Sequence, residues 1–132
     1  MRGNRAVAGS LAILGLCSYL FAGTQVAGAH LFQHWVRSYE EEQPGQTLQI
    51  FRPASSKAFP PSRFRMAYKF ARNGSCEWYV LSPDDAHHFD ACTWSFAGAD
   101  KTRLQITQAG GAATTFKVVE LSGDVLRLEP VE

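Results

Sequence analysis

The chain has 132 residues, of which 45% are hydrophobic and 19% are charged, with 11 glycines and six prolines. This composition excludes collagen-like, coiled-coil and disordered chains and fits one globular domain. Thirteen Lys and Arg residues against 12 Asp and Glu residues give a formal net charge of +1, so the chain lacks the positive excess that holds a nucleic acid. We therefore expect no nucleic-acid partner.

The first 29 residues have the three-part pattern of a secretory signal peptide. Arg2 and Arg5 supply the positive start, residues 6–22 are almost entirely apolar or small, and Ala27-Gly28-Ala29 supplies the small residues that a signal peptidase needs. A membrane anchor is the alternative, but glycines interrupt this stretch and a span needs about 20 strongly apolar residues. We predict a helical signal peptide at 1–29, no stable membrane span after its cleavage, and an extracytoplasmic location, periplasmic or secreted.

Residues 30–132 are predicted to form one all-β domain. Short apolar segments alternate with turn residues at a spacing of about ten residues, which is typical of a small antiparallel barrel or sandwich. In chain order the candidate strands are 35–39, 48–52, 64–70, 76–81, 92–96, 102–107, 115–121 and 125–128. Because the first of these segments is weak, we expect seven or eight strands. The long irregular segment at 54–61 is interpreted as a crossover connection or a lid.

Segment 64–70 is the clearest strand, because its apolar side chains fall on one parity and its basic side chains on the other. The apolar set is Phe64, Met66, Tyr68 and Phe70, and the basic set is Arg63, Arg65 and Lys69. We interpret the basic set as a solvent-facing surface balanced by acidic residues on neighbouring strands, such as Glu77 or residues 40–42.

Two cysteines remain after signal cleavage, and they predict a disulfide. If Cys76 and Cys92 lie opposite each other on an antiparallel hairpin, the midpoint is position 84, inside the turn sequence Pro83-Asp84-Asp85. The turn and the cysteine spacing thus select the same register, which places both sulfur atoms on the face that carries Trp78 and Trp94. In an oxidising compartment such a pair is expected to be bonded. The alternative is two buried free thiols.

A longer set of motifs resembles a group of short bacterial proteins described as lipocalin-like, which have no assigned activity. The resemblance is carried by Trp35, Ser38-Tyr39-Glu40-Glu41-Glu42, Ile50-Phe51-Arg52-Pro53, Phe59-Pro60-Pro61-Ser62-Arg63-Phe64-Arg65, Gly74 and Thr93-Trp94. It implies a small antiparallel β-barrel with the early Trp near the barrel floor. A barrel of this size either encloses a ligand or is filled by its own side chains.

The polar residues of the sequence do not form a recognisable active-site motif. Asp84, Asp85, His87, His88 and Asp90 crowd one turn, but adjacent histidines on an extended segment point in opposite directions, so we predict a solvated turn and no metal or other cofactor. The sequence has no Gly-x-Ser-x-Gly motif, and both cysteines remaining after signal cleavage are expected to be bonded. We therefore predict a protein that is not an enzyme.

The function predicted from these features is that of an exported binding or interaction module. A small hydrophobic ligand is expected on the aromatic face of the barrel. The candidate ligand-binding residues are Phe64, Met66, Tyr68, Phe70, Trp78 and Trp94. The alternatives are a protease inhibitor that meets its protein partner through the 54–61 loop, and an envelope structural protein that binds no ligand.

Overall fold

The computed structural model describes residues 28–81, 86–98 and 101–131, which form eight antiparallel strands closed into a barrel. The strands are β1 (His34–Arg37), β2 (Gln49–Pro53), β3 (Ala67–Phe70), β4 (Ser75–Leu81), β5 (His87–Ala97), β6 (Arg103–Gln108), β7 (Ala113–Leu121) and β8 (Leu126–Pro130). A short 3₁₀ helix, Tyr39–Glu41, follows β1. The predicted all-β antiparallel barrel is confirmed, and each strand falls at a predicted segment.

The signal peptide predicted at 1–29 lies, except for its last two residues, outside the part of the chain that the structure describes. Across the described residues, no helix has the length and apolar character needed to cross a membrane.

The strand order around the barrel is β1-β2-β8-β7-β6-β5-β4-β3, and β3 closes the circle by pairing with β1. Strands β3 to β8 therefore form a continuous meander, whereas β1 lies between β2 and β3. Because β2 and β3 are both antiparallel to β1, they are parallel to each other. The connection between them, residues 54–66, must then pass over the outside of β1, so the segment predicted as a crossover or a lid is a crossover.

The crossover is hydrogen-bonded to residues at the two ends of β1. The Ala54 N–H donates to the His34 carbonyl at 2.9 Å, and the Lys57 ammonium donates to the Ser38 hydroxyl at 2.8 Å. Ala67 has the outward parity on β3 and is only 4% exposed. The segment is therefore held on the barrel wall at its start and in its middle.

The inward face of the strands forms the hydrophobic core, in which aromatic and aliphatic side chains from all eight strands meet. Its buried members are Leu31, Trp35, Phe51, Tyr68, Phe70, Cys76, Cys92, Leu104, Ile106, Phe116, Leu126 and Leu128. Cys76 and Cys92 lie directly opposite each other in the β4–β5 ladder and form a disulfide. The predicted register and bridge are both confirmed, although the turn residues 82–85 lie outside the described part of the chain.

Residues 28–33 close one end of the barrel. The Leu31 side chain is fully buried, and its carbonyl accepts a hydrogen bond from the Trp35 indole N–H at 3.1 Å. The Gln33 side-chain amide donates to the Gly123 carbonyl at 3.3 Å, which links this segment to the turn between β7 and β8. Phe32 contacts the Trp94 ring. Trp35 thus lies at the closed end.

Two strands differ from their predicted segments by more than a terminal residue or two. The strand predicted to begin at Phe64 begins at Ala67, where its pairing with Val36 of β1 begins. The strand predicted to begin at Cys92 begins at His87, because the β4–β5 ladder continues to the Leu81–His87 pair. Its first residues are polar, so apolar periodicity did not reveal them.

Candidate ligand-binding site

Five of the six predicted ligand-binding residues lie on the inner face of the barrel. Tyr68 and Phe70 belong to the buried core, and the remaining three are half-buried and pack against it: Met66, Trp78 and Trp94. Tyr68 and Phe70 stack with their ring centroids 5.4 Å apart, and Phe70 meets the Trp94 ring edge to face at 6.2 Å. The structure therefore brings these residues into one aromatic interior.

Phe64 does not join this interior, and its predicted inward orientation is wrong. Its ring contacts Tyr79 and His87, with centroids 5.7 Å and 6.0 Å away. Tyr79 and His87 have the opposite parity to Trp78 and Cys92 on their strands, so they face outward. Phe64 precedes β3 and lies in the crossover, where the strand alternation no longer applies.

Tyr68 and Trp78 are directly opposite each other in the β3–β4 ladder, so their side chains are neighbours on the inner face. The Trp78 indole nitrogen is buried and has no hydrogen-bond partner. A buried donor left in this state costs about 1–3 kcal/mol. A molecule that brings a hydrogen-bond acceptor to this point of the barrel would remove this free-energy cost.

The other two tryptophans of the chain have partners for their indole N–H groups. Trp35 donates to the Leu31 carbonyl at 3.1 Å, and Trp94 donates to the Ala71 carbonyl at 2.8 Å. Since the sequence contains three tryptophans, Trp78 is the one whose indole donor is unpaired.

Burial raises the pKa of Tyr68 to about 12, against the opposing effect of the nearby Arg37 charge. The phenol therefore stays protonated throughout the physiological range and is a neutral hydroxyl donor on the inner face that Tyr68 shares with Trp78. Arg37 lies on β1 with its guanidinium over the Phe51 ring, 5.9 Å from the ring centroid.

The Arg37 charge is balanced by Glu42. The Arg37 Nη2 donates to Glu42 Oε1 at 2.9 Å, and the Nε donates to Oε2 of the same carboxylate. Glu42 Oε2 also accepts the Ile50 backbone N–H at 3.0 Å. Glu42 therefore joins the end of β1 to β2, through Arg37 and the Ile50 backbone.

Each of the three consecutive glutamates pairs with a different arginine through two hydrogen bonds. Glu40 pairs with Arg65 and Glu41 pairs with Arg52, while Glu42 pairs with Arg37. The sequence predicted that this acidic segment balances basic residues of the strand at 64–70, and the Arg65 pair agrees with that. Arg37 and Arg52 were missed because each is a lone charge in an apolar segment.

The polar turn predicted near position 84 is described in part. The His88 imidazole lies 3.0 Å from the Asp90 carboxylate, and both side chains are 48% exposed. Among the described residues, no three His, Cys, Asp or Glu side chains are placed to hold a metal ion. Asp84 and Asp85 lie outside that part of the chain.

Comparison of the chain with protein-family models, with curated proteins and with solved structures found no match.

Proposed function

We propose that this chain is an exported, non-catalytic binding module of lipocalin-like architecture, which holds a small and mainly apolar molecule on the aromatic inner face of its barrel. The observation that carries the proposal is the buried Trp78 indole N–H, which is one of three buried side-chain nitrogens of the described chain without a hydrogen-bond partner and the one that belongs to the aromatic inner face. Native proteins rarely leave a buried donor in this state, and a bound ligand is one of the ordinary explanations.

The chemistry of the neighbouring residues specifies the ligand class. Tyr68 supplies a hydroxyl on the same inner face as the indole donor, and the aromatic rings of that face supply apolar contact area. A fitting ligand therefore has an apolar body and one accepting group, such as a carbonyl or a carboxylate. Met66 is half-buried next to these residues, and its unbranched side chain can change rotamer to make room.

The lipocalin-like assignment in this proposal concerns architecture and not the path of the chain. A simple up-and-down barrel joins each strand to its neighbour, whereas here β1 lies between β2 and β3. The proposed export is supported by the Cys76–Cys92 disulfide, since such bonds persist in oxidising compartments.

Binding of a probe panel to the disulfide-bonded protein tests the proposal. The probes are a saturated fatty acid, its methyl ester, the parent alkane, retinol and haem, and the readout is tryptophan fluorescence with calorimetric confirmation. We expect the acid and the ester to bind more tightly than the alkane, by about 2- to 10-fold for one hydrogen bond. Trp78→Phe should remove this preference while leaving alkane binding in place. Failure of every probe to bind would reject the proposal.

A second candidate is a protein-binding role for the 54–61 loop, as in a protease inhibitor. Most of this loop is exposed, while the Lys57 contact with Ser38 and the Arg65 contact with the Pro60 carbonyl at 2.7 Å hold it in place. An exposed loop held rigidly binds a partner at low entropic cost. Inhibition of a panel of secreted serine proteases measures this role, and the absence of inhibition at equimolar protein excludes it for those enzymes.

A further inference from the structure

The hairpin formed by β4 and β5 projects beyond its neighbour β6. Strand β5 has 11 residues, but β6 pairs only with its second half, from Cys92 to Ala97. Residues 87–91 are paired with β4 on one side. On the other side, no strand of the described chain lies against them, so the closed barrel keeps one short open edge.

The backbone groups that face this edge follow from the ladder. The Trp94 N–H donates to the Gly74 carbonyl at 2.9 Å, so the even-numbered residues of β5 bond towards β4. Alternate residues of an antiparallel strand direct their N–H and C=O groups to opposite sides. Phe89 therefore directs both of its backbone groups to the open edge, where another strand can pair with them.

We propose that a second copy of this chain pairs with this edge, antiparallel, about a two-fold axis that passes between the two Phe89 residues. In that register the two Phe89 residues exchange two N–H···O bonds. His88 of each copy then lies directly opposite Asp90 of the second copy. An imidazole directly across a strand pair from a carboxylate can donate a hydrogen bond to it, and the order His88-Phe89-Asp90 is complementary to itself only in this antiparallel arrangement.

Two features of the surface are compatible with this pairing. Within one chain, His88 and Asp90 interact at 3.0 Å while each remains 48% exposed, so the second carboxylate oxygen of Asp90 can accept a hydrogen bond from another imidazole. Where β6 ends, a depression of about 420 Å³ lies beside the edge and has no charged side chain in its lining, which includes Ala91, Thr107 and Gly111. It provides space for the hairpin of the second copy. Because the paired segment is short, the dimer is expected to be weak and to depend on concentration.

Sedimentation equilibrium of the disulfide-bonded protein over a wide concentration range tests this inference. We expect reversible dimers for the unaltered chain. Phe89→Pro removes the N–H at the axis without removing a β4 bond, and an edge position tolerates proline, so it should weaken dimerisation by about tenfold or more. Phe89→Ala is the matched control, because it removes the ring but keeps the N–H, and it should dimerise more strongly than Phe89→Pro.

Charge exchange gives a second test that does not depend on proline. His88→Asp places two carboxylates opposite each other and Asp90→His removes the accepting carboxylate, so each should weaken the dimer, whereas the double variant should restore the imidazole–carboxylate pair. A chain that stays monomeric at every concentration would overturn the inference. Dimers that respond neither to Phe89→Pro nor to the single charge variants would overturn it as well, because they would use another surface.

Discussion

Glu40 and Arg65 are separated by 25 positions in the chain, and their side chains form a two-bonded ion pair at 3.0 Å and 2.8 Å. Arg65 also donates to the Arg37 carbonyl at 2.9 Å. The pair therefore joins the 3₁₀ helix after β1 to the end of the crossover. Since the crossover is what permits β1 to lie between two parallel strands, this contact helps to fix the strand order of the barrel.

The carboxylates in this region predict a specific loss of stability in acid. Hydrogen bonds from Arg65 and from Arg52 lower the pKa values of Glu40 and Glu41, respectively, to about 2, from an ordinary value of 4.5. Because each pKa is lower in the folded state, the ionised carboxylates favour folding. Their contribution is complete above about pH 4.5 and is lost as the pH falls towards 2.

Urea unfolding between pH 7 and pH 2 measures this contribution. The double variant Glu40→Gln with Glu41→Gln should unfold more easily at pH 7 and should lose less stability on acidification than the unaltered chain. Glu77→Gln is the control, since this exposed glutamate lies away from the two ion pairs, and it should keep the original pH profile. An unchanged profile in the double variant would show that the two ion pairs do not contribute.

The closed end of the barrel gives a second prediction. Leu31 is fully buried beside Trp35, so Leu31→Ala should lower the free energy of unfolding by about 2–5 kcal/mol, as expected for loss of a buried leucine side chain. Leu81→Ala is the matched control, because Leu81 is 42% exposed and its truncation should change stability by less than about 0.5 kcal/mol. Similar small effects for both variants would mean that residues 28–33 do not belong to the cooperative fold.

The disulfide gives a third prediction. Cys76 and Cys92 are 16 positions apart, and closing a loop of that size stabilises a fold by about 3 kcal/mol when the entropy of the unfolded chain is the main term. Thermal unfolding with and without a thiol reductant should show a lower Tm for the reduced protein. The double variant Cys76→Ser with Cys92→Ser should have a low Tm in both conditions. This prediction would be contradicted if the Tm of the unaltered chain did not change when its disulfide is fully reduced.

The sequence predicts local features of this fold well, because they depend on local signals. The alternation of apolar and polar side chains located the strands, and the position of Cys76 and Cys92 about a single turn fixed the β4–β5 register. Strand order depends on which distant edges meet, and no local pattern records that. The placement of β1 between β2 and β3 was therefore not predicted.

The candidate site was predicted only in part for the same reason. Tyr68 and Phe70 share an inner face because strand parity decides it. Met66 directly precedes the strand and still packs against the core, whereas Phe64 lies farther from the strand and leaves that face. The unpaired indole of Trp78 has no sequence signal, because nothing in the sequence distinguishes it from Trp35 and Trp94. The three differ in whether the fold brings a carbonyl to the indole N–H. Hydrogen-bond partners are a property of the assembled barrel.

The three tryptophan indoles provide the most direct test of ligand binding in the barrel. In protein labelled with ¹⁵N at tryptophan, each indole N–H gives one resonance, and two of the three donors already have carbonyl partners. Addition of a saturated fatty acid should move the Trp78 resonance downfield, as a new hydrogen bond forms, by more than it moves the resonances of Trp35 and Trp94. Saturation of the protein with each probe of the panel while the Trp78 resonance stays in place would contradict the proposed site.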